Sequence, residues 1–183
     1  LQTRVGRRSP LAAVRIAASM AEDQGFPLSR AEAVARISDE TLRELARLGR
    51  VSGTTTPFAS GLAVSPGVAC GALCCDSDRA AQWADEGRPV ILARPETSPA
   101  DVHGMVASAG LVTTLGGMVS HAAVVARGWA IPAICSLAGA TVERHGIRTG
   151  GEFVAEGETV TIDGTTGHLY RGDCREDATL DLP

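Results

Sequence analysis

The residues able to do chemistry are concentrated in Thr114–Arg127, TLGGMVSHAAVVAR. Gly116-Gly117 lets a chain leaving a strand turn tightly, Ser120 suits a helix cap, and His121 then falls in the first turn of the helix. A helix N-terminus presents unpaired backbone N–H groups and a partial positive charge, together a seat for phosphate. A neutral imidazole placed there has a lone pair for attack and can form a covalent intermediate. If its other nitrogen donates to a backbone carbonyl, the tautomer is fixed and a phosphate made on the free nitrogen lies near the glycine amides. The expected site is His121 as catalytic residue, supported by Gly116, Gly117, Ser120 and Thr114. Residue types alone leave a second role open, in which His121 only caps and packs a buried helix. A dinucleotide fingerprint is excluded, because the G-x-G-x-x-G spacing is absent. A Walker loop is excluded too, since the chain contains no Lys.

The surrounding polar residues give weaker signals. Thr113 and Thr114, at a strand end beside the glycines, can contact the loop, and Arg94 and Glu96 can line it or pair with each other. Arg127 suits the C-terminal dipole of its helix, and Trp129 is expected to pack close to the helix end. His103, inside another helix, and His145 and His168, in turn and strand contexts without partner acids, read as structural. No metal site is expected.

Elements must bring that loop to a surface. Val68–Cys75 is strand-like, Pro89–Ala93 is a continuous apolar run suited to a strand buried on both faces, and Leu111–Thr114 and Ile131–Cys135 are strands. Between them stand a helix with Ala80, Ala81 and Trp83, a helix Pro99–Ser108 opened by Ser98-Pro99-Ala100-Asp101, and the helix Ser120–Arg127. That last helix is small and apolar all round, which predicts burial. Strand–helix alternation means a βαβ layer. Glu152–Val154, Thr159–Asp163 and His168–Arg171 then read as antiparallel strands joined by Gly-rich turns.

Ahead of this lies a different unit. Ser9-Pro10 opens a helix running to Gly25, Ser29 caps one containing Glu32, Val34 and Ile37, and Ser38 caps a third with Leu42, Leu45 and Leu48 on one stripe. Residues 1–48 thus read as a helical segment, 49–61 as a Gly/Ser/Thr/Pro-rich linker, 62–171 as the main domain and 172–183 as a tail or second linker.

Bulk properties narrow the classes of function. With a net charge of −4 over 183 residues, no basic surface outweighs the acids, so nucleic acid is not an expected partner. The Arg4, Arg7, Arg8 and Arg15 cluster reads as a solvated helix face or a contact with a neighbouring domain. No apolar run approaches the ~20 residues of a membrane span. Five cysteines without CxxC pairing suit reduced thiols and a cytoplasmic setting. The first residue is not Met and no leader pattern precedes it, as expected of a segment cut from a longer protein.

Gly116–Arg127, continuing through Gly128-Trp129-Ala130-Ile131-Pro132-Ala133, resembles the active-site signature of the phosphoenolpyruvate-utilising enzymes. The run Arg94–Met105 and the run Gly61–Gly71 resemble the dikinase branch of that family. The resemblance implies an α/β fold: a swivelling β/β/α phosphohistidine domain preceded by a small helical unit. It implies that His121 takes a phosphoryl group derived from the β-phosphate of ATP and passes it to pyruvate, giving phosphoenolpyruvate, with inorganic phosphate as co-substrate. It further implies two partner modules, an ATP-grasp nucleotide-binding domain and a pyruvate/phosphoenolpyruvate barrel, with Mg²⁺ held there and no cofactor held by this chain. A non-catalytic scaffold or interaction domain that retains the fold is the competing expectation. The family signature usually has Thr two residues before the histidine, the target of a regulatory kinase. Val119 stands there, which removes that hydroxyl and leaves Ser120.

Overall fold

The structure is a computed structural model that describes residues 10–22, 28–39, 41–42, 45, 49–53 and 55–176. The chain divides into two units, Leu1–Leu48 with Ala178–Pro183, and Gly49–Asp177. In the first, α1 (Pro10–Glu22) buries Val14 and Ala17. Helix α2 (Arg30–Ala35) starts with a capping box. The Glu32 amide donates to Ser29 Oγ at 3.3 Å, and Glu32 Oε2 accepts from the Ser29 amide at 2.9 Å. It stops two residues before Ile37, which lies in a bend. Ser38 Oγ accepts from the Thr41 amide at 3.2 Å and opens the third helical stretch, where Leu45 is buried but Leu42 is 47% exposed. Ser9, Gly25, Leu48 and the Arg4, Arg7 and Arg8 cluster lie outside the described residues.

In the second unit β1 (Arg50–Val51), β2 (Ala59–Ser60), β3 (Leu62–Ser65) and β4 (Val68–Cys74) lead into α3 (Ser77–Asp85). Next come β5 (Val90–Arg94), a 3-10 turn (Pro99–Asp101), α4 (Val102–Ala107), β6 (Gly110–Thr113), α5 (His121–Gly128) and β7 (Ala133–Cys135). The unit ends with β8 (Ala140–Glu143), β9 (Gly146–Thr149), β10 (Glu152–Ala155), β11 (Thr159–Asp163), β12 (His168–Arg171) and β13 (Arg175–Glu176). An eight-stranded sheet runs in the order β2-β12-β11-β4-β5-β6-β7-β3, and β8, β9 and β10 form a separate three-stranded sheet. Strands β4, β5, β6 and β7 are mutually parallel, and the pairs outside them are antiparallel.

Side-chain alternation explains the layering. Leu73, Ile91, Ala93, Val112 and Ile134 point to one face of the large sheet, where they meet Ile147 and Val154 of the small sheet. Cys74, Val90, Leu92, Leu111, Ala133 and Cys135 point to the other, where they meet Ala80 of α3, Met105 of α4, and Ala122, Ala123 and Ala126 of α5. The result is a mixed α/β fold of three layers, small sheet, large sheet and helices. Small residues allow close approach. A Cβ on Gly104 of α4 would stand 2.4 Å from the Ser77 carbonyl oxygen at the start of α3.

Several expectations change. The stretch read as a linker contributes β1, paired with β13, and β2, paired with β12, so parts of 49–61 and of 172–183 belong to sheets. Their partners lie over a hundred residues away, which local composition cannot reveal. Strands β3, β8 and β9 had no reading, because Leu62–Ser65 is short and Ala140–Thr149 is interrupted by Arg144 and His145. The helix expected over Pro99–Ser108 is a 3-10 turn followed by α-helix.

Candidate active site

The site lies where the parallel strands β5 and β6 end. Beyond β6, the Thr113 hydroxyl donates to the Leu115 carbonyl at 2.7 Å. The Thr114 and Leu115 amides donate to the carbonyls of Arg94 and Pro95 at 3.3 and 2.8 Å. The loop is thus fastened to the end of β5. It then turns at Gly116, whose φ is +95° and where a Cβ would meet the Ser120 Cβ at 3.0 Å and Oγ at 3.1 Å. Gly117 has open space around it, and its carbonyl accepts from the Ser120 amide at 3.0 Å. Ser120 is the N-cap of α5, its Oγ accepting from the Ala123 amide at 3.3 Å. His121 is the first residue of the helix and is half-buried.

The imidazole is held by a side chain and not by a backbone carbonyl. His121 Nδ1 lies 3.1 Å from Thr97 Oγ1, and Nε2 has no partner among the described residues. Thr97 is 6% exposed and follows β5 in the loop leading to the 3-10 turn. Asp101 fixes that loop: its Oδ2 accepts from the Ser98 amide at 2.8 Å and the Ser98 hydroxyl at 2.9 Å. Its Oδ1 accepts from Ser77 Oγ at 2.5 Å and lies 3.4 Å from Arg94 Nε. Burial pushes the Asp101 carboxyl up, but the Ser77 and Ser98 hydrogen bonds and the Arg94 charge outweigh it and hold it below the ordinary aspartate value. Arg94 also donates through Nη1 to the Cys75 carbonyl at 2.9 Å, so it braces this loop instead of facing His121.

The loop presents donors. The N–H groups of Gly116, Gly117, Met118, Val119, His121 and Ala122 have no protein acceptor among the described residues. Amides in this setting receive anions. The structure therefore gathers His121, Gly116, Gly117 and Ser120, and it adds Thr97, which sequence reasoning missed. The parallel pairing of β5 with β6 was the available signal, because it brings the residues after both strands to one edge. Thr114 serves through its backbone, and the Thr113 hydroxyl is fully buried and satisfied.

Other residues fall elsewhere. Helix α5 is buried on one face only, with Val124 56% exposed, and Trp129 is 61% exposed instead of packing. Alternation of small apolar residues cannot show which face a neighbour covers. Glu96 is exposed. His103 Nε2 lies 2.8 Å from Asp78 at the surface. His145 does have an acid nearby, Glu156 Oε2 at 3.6 Å, and Glu156 also binds Arg79 and the Cys75 amide. His168 Nδ1 lies 3.2 Å from the Tyr170 hydroxyl. Among the described residues no group of three or more His, Cys, Asp and Glu could hold a metal ion. Among them, too, no helix is long and apolar enough to cross a membrane.

Residues 87–167 match the family model described as PEP-utilising enzyme, mobile domain. Over 94% of its length the chain is 42% identical to a pyruvate, phosphate dikinase of Rhizobium meliloti (strain 1021), covering 19% of that protein. It is 39% identical to the pyruvate, phosphate dikinase of Clostridium symbiosum, covering 94% of this chain and 20% of that one. The chain thus spans about a fifth of the length of the curated relatives it matches. The NMR solution structure of Enzyme I (nEIt) aligns with 88% of this chain and 50% of that one, at 18% identity and a TM-score of 0.35.

Proposed function

We propose that this chain is the phosphoryl carrier of a pyruvate, phosphate dikinase-type transferase, with His121 as the residue phosphorylated, a reading supported by the match of residues 87–167 to the PEP-utilising enzyme mobile domain and by the similarity to pyruvate, phosphate dikinases. The observation that carries the reading is the imidazole tethered at Nδ1 to Thr97, with Nε2 unpartnered among the described residues, in a residue that directly follows a glycine loop whose amides have no protein acceptor among them.

The chemistry follows from that geometry. With the proton on Nδ1 shared toward Thr97 Oγ1, the lone pair of Nε2 attacks the phosphorus. A P–N bond forms while the P–O bond to the departing group breaks, and the pair leaves on that oxygen. The ring gains positive charge, which strengthens the Nδ1–H···O bond to Thr97. The loop amides donate to the phosphoryl oxygens, and the field of α5 favours the negative charge on those oxygens. In the return step the acceptor oxygen attacks phosphorus, the P–N bond breaks and its pair returns to Nε2.

A carrier must enter other active sites. Leu115, Met118, Val119 and Val124, on the loop and first turns around His121, are each more than half exposed, a rim suited to docking in a cleft. We assign the donor site to an ATP-grasp module, the acceptor site to a pyruvate/phosphoenolpyruvate barrel and Mg²⁺ to those modules. Cytoplasmic placement fits five free thiols, four of them buried. The test is to supply this chain with the nucleotide-binding module of a dikinase, Mg²⁺, inorganic phosphate to take the γ-phosphate, and ATP labelled at the β-phosphate. The expected product is a chain carrying acid-labile, base-stable label that pyruvate discharges once the barrel module is added. An unlabelled chain, or label that survives acid, would contradict the reading.

A further inference from the structure

Arg127 sits at the far end of α5 from His121, yet its side chain runs back along the helix. Its Nη2 donates to the Met118 carbonyl at 2.7 Å and its Nη1 to the Val64 carbonyl of β3 at 3.4 Å. No carboxylate pairs with it among the described residues. The two acceptors belong to different parts of the fold, the loop ahead of His121 and the edge strand of the large sheet. Strand β3 is itself fastened to the helix, because Ser65 Oγ donates to the Ala126 carbonyl at 3.5 Å. The guanidinium is thus a strut between a fixed strand and the 116–119 turn, whose other backbone hydrogen bond among the described residues is that from the Ser120 amide to the Gly117 carbonyl. A planar fork is suited to bridging two carbonyls, which a single ammonium cannot do with the same geometry.

The strut also sets a direction. In a planar trans peptide the carbonyl and the following N–H point opposite ways. With the Met118 carbonyl drawn onto Arg127, the Val119 N–H is turned away from Arg127 and has no protein acceptor among the described residues. Val119 itself is 89% exposed, so its side chain does nothing to hold that peptide. Released from Arg127, the 118–119 peptide can rotate, and the donor it offers is no longer fixed.

We propose that Arg127 is a positioning residue for phosphoryl transfer: it orients the Met118–Val119 peptide so that the Val119 N–H receives the phosphoryl group carried on His121. The inference rests on the carrier reading above, and its test separates the two. Phosphoramidate is used as a small donor that needs no partner module: His121 Nε2 attacks its phosphorus, the P–N bond to ammonia breaks and ammonia leaves with a proton. The parent chain, Arg127→Met and Arg127→Lys are compared for labelling rate at His121, with the Val119 amide followed by ¹H–¹⁵N NMR before and after labelling. The expected result is a large Val119 amide shift on phosphorylation of the parent. Arg127→Met should label about tenfold more slowly and lose that shift, as removal of a charge-assisted bond would give, with Arg127→Lys recovering part of both. Labelling of Arg127→Met at the parent rate with the shift intact overturns the positioning role and leaves the carrier reading standing. A parent chain that takes no label overturns both. If Arg127→Met fails to fold, Arg127→Lys decides: parent-like rate and shift contradict the bridging requirement, while intermediate values support it.

Discussion

Thr97 offers a sharp test, because one hydroxyl separates it from valine. Its Oγ1 lies 3.1 Å from His121 Nδ1, the one hydrogen bond of that hydroxyl among the described residues, and the residue is 6% exposed. Thr97→Val keeps the branched shape, so no cavity opens, and the half-buried ring can find water for Nδ1. The cost to folding is then one neutral hydrogen bond, about 1 kcal/mol. The cost to transfer is larger, because phosphorylation of Nε2 puts positive charge on the ring and makes this a charge-assisted bond of about 1.5–3 kcal/mol. At roughly 1.4 kcal/mol per decade, transfer should slow about ten- to hundredfold while the unfolding midpoint moves only slightly. Rapid-quench measurement of label transfer gives the rate, and ¹⁵N NMR of the ring reports which nitrogen holds the proton. Thr97→Ser keeps the hydroxyl and should stay within a few-fold of the parent. Parent-like rates and unchanged ring signals in Thr97→Val would refute the claim that Thr97 sets the imidazole.

Two further perturbations are read by other means. Gly116→Ala forces a Cβ into a φ of +95° and against Ser120, so denaturant unfolding should show a loss of about 1–3 kcal/mol, whereas Gly117→Ala, with nothing within 4 Å, should cost far less. Equal losses would show that the turn is not set by Gly116. Burial pushes the Cys74 thiol up from 9.0 to about 11 and the Cys75 thiol up to about 12. The folded chain therefore keeps protons that the unfolded chain releases. Their contribution is complete below pH 9 and declines as pH rises from there toward 11 and 12. Urea midpoints should fall over that range, and less steeply in a Cys74→Ala/Cys75→Ala variant; an equally steep fall would assign the loss to other groups.

Local chemistry was legible in the sequence where it acts within a few residues. The Ser29–Glu32 capping box, the Ser98–Asp101 helix start and the Ser120 cap are short-range devices, and each forms as its spacing implies. The parallel strands β5, β6 and β7 were readable because a strand covered on both faces needs unbroken apolar residues, as Val90–Ala93 shows with no exposure at any position. What was hidden depends on distant partners. Strands β1 and β13 exist only because they pair, and the Thr97–His121 bond spans 24 residues through the β5–β6 register. The exposure of Val124 and Trp129 was hidden for a related reason, since an apolar helix face looks the same whether the chain buries it or leaves it for a partner.

The central claim is that the phosphoryl group travels on one nitrogen of His121. The direct measurement is labelling of the parent chain and of His121→Asn, His103→Asn, His145→Asn and His168→Asn by the nucleotide-binding module, Mg²⁺, inorganic phosphate and β-labelled ATP, with acid and base stability of each adduct. Replacement of His121 removes one hydrogen bond to Thr97 from a half-buried position, so thermal stability should change little. His121→Asn should take no acid-labile, base-stable label, while the other three variants label like the parent. Label that persists in His121→Asn and vanishes in one of the others would contradict the account.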